Sequence, residues 1–266
     1  MNCTKTIKNL LPDFAPKIAL VLGSGLGEFA DSIEKIAEIP YQELQGFPLS
    51  GVGGHAGKLI LGQVGDVSII AMQGRVHYYE NGQVDAMKIP LQCCKDLGCE
   101  IVILTNAAGS LDTNAGPGSV MVINDYINFT GVSPLFKETD NNRFVNMVNA
   151  YDKKIRQKIH AIAEGASIKL SKGVYAWMCG PQFETPAEIK AIKILGANAA
   201  GMSTVPETII ARQLEMKVLA LSVITNYAAG MDDEELSHQQ TLKYANKAAQ
   251  DFKTILTEFI QSYHSY

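Results

Sequence analysis

The sequence predicts an α/β fold. Short β-branched runs alternate with longer helical patterns along most of the chain, the rhythm of strands joined through helices. Most of the runs are nearly continuous apolar segments, as expected of strands covered on both faces. Neither a linker, a low-complexity segment nor a regular repeat interrupts the 266 residues, so residues 1–266 read as one domain.

The predicted strands are Ile18–Leu22, Lys58–Val64, Val67–Met72, Ile101–Thr105, Val120–Ile123, Gly173–Met178 and Val218–Thr225. Helices are expected over Gly25–Ile36, Val84–Leu97, Asp152–Glu164, Pro186–Leu195, Pro206–Leu214 and Asp233–Ile260. Thr185-Pro186 is a good helix start, because Thr can cap and Pro is tolerated at the first helical position. Gly98 and Gly196 stand where helix ends are wanted. The segment from Gly131 to Asn142 is polar and turn-rich without periodicity, and reads as a long surface loop or a partner contact.

Composition excludes several classes. A 47% apolar content with 23 basic against 27 acidic residues and a net charge of -4 describes a soluble globular protein, neither a disordered chain nor a coiled coil. That charge leaves no electrostatic footprint for nucleic acid. Pro12, Asp13 and Pro16 break the apolarity near the start, so no signal peptide is read there, and nothing approaches the ~18 apolar residues of a membrane helix. A cytoplasmic location is expected. The five cysteines are odd in number and lack paired CxxC spacing, which favours buried free thiols over a metal site or disulfides.

The run Ile18–Leu22 leads into Gly23-Ser24-Gly25-Leu26-Gly27, a strand-to-helix turn that can expose N–H groups to an anion. A dinucleotide fingerprint would need its third glycine where Glu28 stands, and a carboxylate is badly placed beside a pyrophosphate. A Walker loop fails too, since no Gly-Lys-Ser/Thr follows. A phosphate-sized anion site containing Ser24, or a tight turn without ligand, remains. Met72–Glu80, MQGRVHYYE, ends an apolar strand with a polar burst. In an extended segment Arg75, His77 and Tyr79 share one face, and Arg suits a bidentate grip on phosphate oxygens. Leu104–Ser110, LTNAAGS, places small residues after a buried strand, where a ligand could approach the backbone or packing alone could account for them.

More distinctive are GPQFETP over Gly180–Pro186, GMSTVPE over Gly201–Glu207, and Thr225-Asn226 at the end of MKVLALSVIT. Together with GSGLG, Gly54-His55-Ala56-Gly57, MQGRVHYYE and LTNAAGSL, these motifs make the chain resemble the trimeric purine nucleoside phosphorylases, a family that also contains methylthioadenosine phosphorylase. The match runs in order from about Ile18 to the C-terminal helix. The resemblance implies a single domain with a mixed, partly barrel-like central sheet flanked by helices. It implies cleavage of the N-glycosidic bond of purine nucleosides by inorganic phosphate, giving free base and (deoxy)ribose 1-phosphate, in purine salvage. No cofactor or metal is implied, phosphate being a co-substrate, and the expected assembly is a homotrimer.

Carried over residue by residue, the resemblance assigns phosphate to Ser24, Arg75, His77, Asn106, Ala107 and Ser203, with His55 as a further contact. Tyr79 and Met202 would hold the ribose and His238 its 5′-hydroxyl. Phe144 would reach into the neighbouring subunit's site. Phe183 would pack on the base, and Glu184 and Asn226 would read its edge, with Glu184, Asn226 and His77 as the catalytic set. A carboxylate accepts from N1–H of a 6-oxopurine and repels the bare N1 lone pair of adenine. The methylthioadenosine branch carries Asp where Asn226 stands, so inosine and guanosine are the expected substrates. Two departures are visible: Val52-Gly53-Gly54 precedes His55 where relatives more often have a proline, and the loop over 131–142 is short compared with mammalian relatives. A nicotinamide oxidoreductase built on the GSGLG turn, a 6-aminopurine phosphorylase and a non-catalytic nucleoside-binding protein are the competing readings.

Overall fold

The computed structural model describes residues 3–51, 56–232 and 238–263, without the side chains of 238–242. Among these residues nine strands form one mixed sheet: β1 (Ile18–Leu22), β2 (Glu34–Pro40), β3 (Lys58–Val64), β4 (Val67–Gln73), β5 (Ile101–Ser110), β6 (Val120–Asn128), β7 (Leu170–Trp177), β8 (Ala199–Gly201) and β9 (Lys217–Tyr227). Their order is β2-β3-β4-β1-β5-β8-β7-β6-β9, and β5 also pairs with β9. That extra pairing closes β5, β8, β7, β6 and β9 into a five-stranded barrel, with β1 to β4 continuing from it as an open flank. The partly barrel-like sheet implied by the resemblance is therefore present.

Among the described residues, α-helices α1 (Cys3–Leu10), α2 (Tyr78–Asn81), α3 (Lys88–Asp96), α4 (Lys153–Gly165), α5 (Pro186–Ile194), α6 (Val205–Gln213) and α7 (His238–Gln261) accompany the sheet. Alternate residues of β1 point to opposite faces. Ala19 and Val21 join a core that includes α1, α3 and α6. Ile18, Leu20 and Leu22 join a second core lined by α4 and α7. On that side Phe252 of α7 meets Phe29 edge-on, with ring centroids 6.5 Å apart. Thr185 and Glu188 complete a reciprocal cap at the start of α5, and Gly98 and Gly196 take positive φ after α3 and α5, as their positions predict.

The expected helix over Gly25–Ile36 does not form. Gly25 sits at φ +75°, a 3-10 turn covers Gly27–Ser32, and the chain then enters β2, antiparallel to β3. Ile33, Ile36 and Ala37 imitate helical spacing, but pairing along β3 satisfies the backbone of this edge segment and overrides it. Helix α1 and the three-residue β8 escape sequence reading because each is short. Strands β5 and β9 run past their predicted ends, since they pair along their whole length, from Ile101 against Lys217 to Ser110 against Tyr227, as the barrel seam. The helix expected from Val84 starts at Lys88. Cys3, Cys93, Cys94 and Cys99 are buried as expected, whereas Cys179 is exposed. Among the described residues no helix is long and apolar enough to cross a membrane.

Phe252 is almost completely buried and joins α7 to the 3-10 turn. Phe252→Ala is expected to cost about 3–5 kcal/mol of stability, read as a lower urea midpoint.

Candidate active site

The carboxyl ends of parallel strands are where α/β sheets build sites, and β4, β1 and β5 run parallel side by side. The ends of β1 and β4 deliver Gly23 and Ser24 and then Arg75, and β5 delivers Asn106 and Ala107 just past its parallel pairing with β1, to one cleft. His77, Tyr79, Phe183 and Glu184 line it with them, and so do Met202, Ser203 and Asn226. The cleft encloses ≈150 Å³ and opens to solvent.

Close approach explains the glycines. A Cβ on Gly23 would lie 2.6 Å from the Thr105 carbonyl oxygen and 2.9 Å from Arg75 Nη2. The Gly23 N–H donates to Thr105 Oγ1 at 3.0 Å, and that hydroxyl donates to the Val21 carbonyl at 2.8 Å. A Cβ on Gly180, which adopts φ +67°, would strike Met202 Sδ at 2.5 Å. The GSGLG and GPQFETP motifs thus carry glycine where other segments of the site press against the backbone.

Arg75 is 1% exposed. Its Nη1 donates to Glu207 Oε1 at 2.9 Å and lies 3.5 Å from Thr204 Oγ1, while Nη2 donates to the Thr105 carbonyl. Glu207 is itself buried, so the guanidinium is held by a carboxylate from α6. His77 and Tyr79 do not share the face of a strand, as an extended segment would require. His77 caps α2, Tyr79 lies within it, and their rings stack at 4.8 Å. Glu80 accepts from the His77 N–H at 2.7 Å and from the Gly51 N–H at 2.9 Å, with His77 Nδ1 at 3.2 Å and Ser50 Oγ at 3.1 Å. Burial works against the Glu80 charge, but these donors outweigh it and hold the carboxyl below the ordinary range.

At the other end of the cleft, the register of β5 and β9 shifts between Ala108 and Gly109. This bulge leaves Thr225 unopposed and sets Asn226 against Gly109, whose missing Cβ would lie 2.9 Å from Asn226 Nδ2. Bulges re-aim side chains in this way. Asn226 Oδ1 accepts from Thr225 Oγ1 at 2.9 Å, and Nδ2 donates to the Tyr227 carbonyl at 2.8 Å, leaving the second amide hydrogen for a ligand. Burial pushes the Glu184 carboxyl above its ordinary range.

Eleven residues singled out from sequence line the cleft. His55 lies outside the described residues, as does the side chain of His238, whose backbone begins α7. Phe144 is 74% exposed under the Arg143 guanidinium, away from the cleft of its own chain. Sequence reading missed Glu80, Thr105, Tyr175, Thr204 and Glu207. Thr204 and Glu207 carry the spacing of a helix capping box, and that spacing was the available signal; here both side chains turn to the site instead, Thr204 to Asn106 and Glu207 to Arg75. Among the described residues no cluster could hold a metal ion.

Residues 17–261 match the family model described as the phosphorylase superfamily. The chain is 43% identical over 260 residues to purine nucleoside phosphorylase 1 of Bacillus subtilis, covering 97% of this chain and 96% of the relative. Isoform 2 of purine nucleoside phosphorylase from Schistosoma mansoni, solved with cytosine and ribose-1-phosphate, superposes with TM-score 0.92 at 35% identity over 98% and 95% of the two chains. Purine nucleoside phosphorylase of the same organism, solved with inosine, gives 0.90 at 30% identity over 97% and 94%. The fold and the site thus define the class, a phosphorylase. The chain belongs to the phosphorylase superfamily and, within it, to the purine nucleoside phosphorylases.

Removing one member of a buried ion pair leaves an uncompensated charge. Glu207→Gln is therefore expected to destabilise the fold by about 3–5 kcal/mol, measured by urea denaturation.

Proposed function

We propose that this enzyme, a pentosyltransferase by family, uses inorganic phosphate to cleave 6-oxopurine nucleosides, inosine and guanosine foremost, in purine salvage. The observation that carries the reading is the convergence in one cleft of an anion-binding end and a base-reading end. Ser24, Arg75, His77, Ser203 and the backbone at Asn106 and Ala107 form the phosphate end, with His55 assigned to it by resemblance. A guanidinium, hydroxyls and backbone donors can orient the anion beneath C1′ of the ribose, so that phosphate is the nucleophile and the protein supplies position.

Met202 and Tyr79 flank the ribose, with His238 assigned to the 5′-hydroxyl. Phe183 covers the base. Glu184 accepts from N1–H, and Asn226 donates its remaining amide hydrogen to N7 as negative charge gathers on the departing purine. Such a donor is worth roughly a hundredfold in rate or more. The inosine complex of the Schistosoma mansoni relative supports a 6-oxopurine substrate, while an adenosine complex from that organism keeps 6-aminopurines as the rival to test. A homotrimer in which Phe144 completes a neighbouring site accords with the exposure of Phe129, Phe136, Phe144 and Val148.

The deciding assay follows inosine with and without phosphate, measuring hypoxanthine and ribose 1-phosphate together. Both products should form only when phosphate is present; phosphate-independent cleavage would mark a hydrolase, and preference for adenosine or methylthioadenosine would overturn the base assignment. Asn226→Asp should shift preference from inosine toward adenosine by adding an acceptor for the 6-amino group, and unchanged selectivity would remove Asn226 from base reading.

The raised carboxyl of Glu184 sets a pH dependence. The folded protein holds this proton more tightly than a free glutamate, so the N1–H acceptor is present at high pH and lost as pH falls through a value above the usual ~4.3. The acid limb of kcat/KM for inosine should therefore lie above the ordinary carboxylate range and flatten in Glu184→Gln.

A further inference from the structure

Ser203 and Thr204 form the tightest turn in the cleft. The Val205 N–H donates to the Ser203 carbonyl at 2.8 Å, enclosing Thr204 at φ +75°, ψ −43°. This is the γ-turn of positive φ, the rarer and strained form. Its centre is a β-branched residue with no exposed surface. Strain of this kind persists only where the surroundings over-determine it, and it gathers at functional sites.

The surrounding hydrogen bonds have a direction. A hydroxyl owns one proton and two acceptor positions, whereas a guanidinium and an amide nitrogen only donate. Thr204 Oγ1 receives Asn106 Nδ2 at 2.8 Å and faces Arg75 Nη1 at 3.5 Å. With both acceptor positions taken, its proton is left for Ser203 Oγ, 3.2 Å away. On the other side stands Tyr175, fully buried in β7. Its Oη accepts the Ser203 N–H at 3.3 Å and so holds the backbone of this turn. Tyr175 reaches this place because Gly201 has no Cβ; one there would lie 2.4 Å from the phenol oxygen. Ser203 Oγ thus accepts from Thr204, and its own proton is left to point into the cleft.

We propose that Thr204 is a positioning residue that, through this one-way chain from Arg75 and Asn106, presents Ser203 to the phosphate as a donor only. The inference rests on the reading of Ser203 as a phosphate ligand. A donor of fixed polarity favours a fully ionised oxygen, which can only accept, over a protonated one.

The test compares wild type, Thr204→Val, Thr204→Ser, Ser203→Ala and the Ser203→Ala/Thr204→Val double variant, varying phosphate and inosine separately. Valine keeps the branched shape and removes the hydroxyl; serine keeps the hydroxyl. Thr204→Val should raise KM for phosphate about tenfold or more and move KM for inosine less than about twofold. Thr204→Ser should return the phosphate KM to within about twofold of wild type, and the double variant should be no worse than Ser203→Ala, because the two residues act as one unit. Equal effects on both KM values, failure of serine to rescue, or multiplicative losses in the double variant would overturn the proposal. If Ser203→Ala itself leaves the phosphate KM unchanged, the phosphate assignment of Ser203 fails instead. Should Thr204→Val not fold, Tyr175→Phe removes the acceptor that holds the Ser203 N–H in this turn and should raise the phosphate KM in the same selective way; an unchanged value there would overturn the proposal.

Discussion

A buried charge has to be answered by another, and the Arg75–Glu207 pair is where this protein meets that requirement. Taking a guanidinium out of water costs several kcal/mol, and only close partners with good geometry offset it. Arg75 leaves the end of β4, Glu207 stands in the first turn of α6, and Thr105 of β5 contributes its carbonyl. Three distant segments are thereby committed to one geometry. Because α6 is tied down at this point, so is the turn before it, which holds Ser203 and Thr204. The same guanidinium forms part of the cleft wall, held there in one orientation by its partners.

Around that pair the cleft is built largely by subtraction. Gly23, Gly109, Gly180 and Gly201 each stand where a methyl group would collide with a neighbouring functional segment. The absence of side chains lets Arg75, Asn226, Met202 and Tyr175 approach the backbone closely. The bulge at Thr225 does complementary work at the barrel seam, since it turns Asn226 toward the cleft and supplies the hydroxyl that orients its amide. Glu80 ties the segment at Ser50 and Gly51 to His77 and so couples a loop to the α2 cap. The shape of the cleft at both ends is thus a matter of backbone geometry as much as of side chains.

Much of this was legible in the chain itself. Nearly continuous apolar runs identified β1, β3 to β7 and β9, because strands covered on both faces leave few polar positions. The polar bursts at their ends marked Ser24, Arg75, His77 and Asn226, because ionisable residues immediately after a buried strand need a reason to be there. Order and spacing of the motifs carried the family. The position of Tyr79 was misread, since a strand end and a helix cap share the same polar composition and only the fold distinguishes them.

What the chain alone determined, then, is the set of chemical groups and the elements that carry them, both written in local patterns of hydropathy and in short motifs. Tertiary structure decided the remainder. Segment 34–40 became an edge strand because β3 offered it a ladder, although its apolar spacing suits a helix. The barrel closed because β5 and β9 found each other across more than a hundred residues, and local pattern contains no record of such pairing. Thr204 and Glu207, spaced as a helix cap, were drawn instead to Asn106 and Arg75, because partners that fold beside them can outcompete those that are near in sequence.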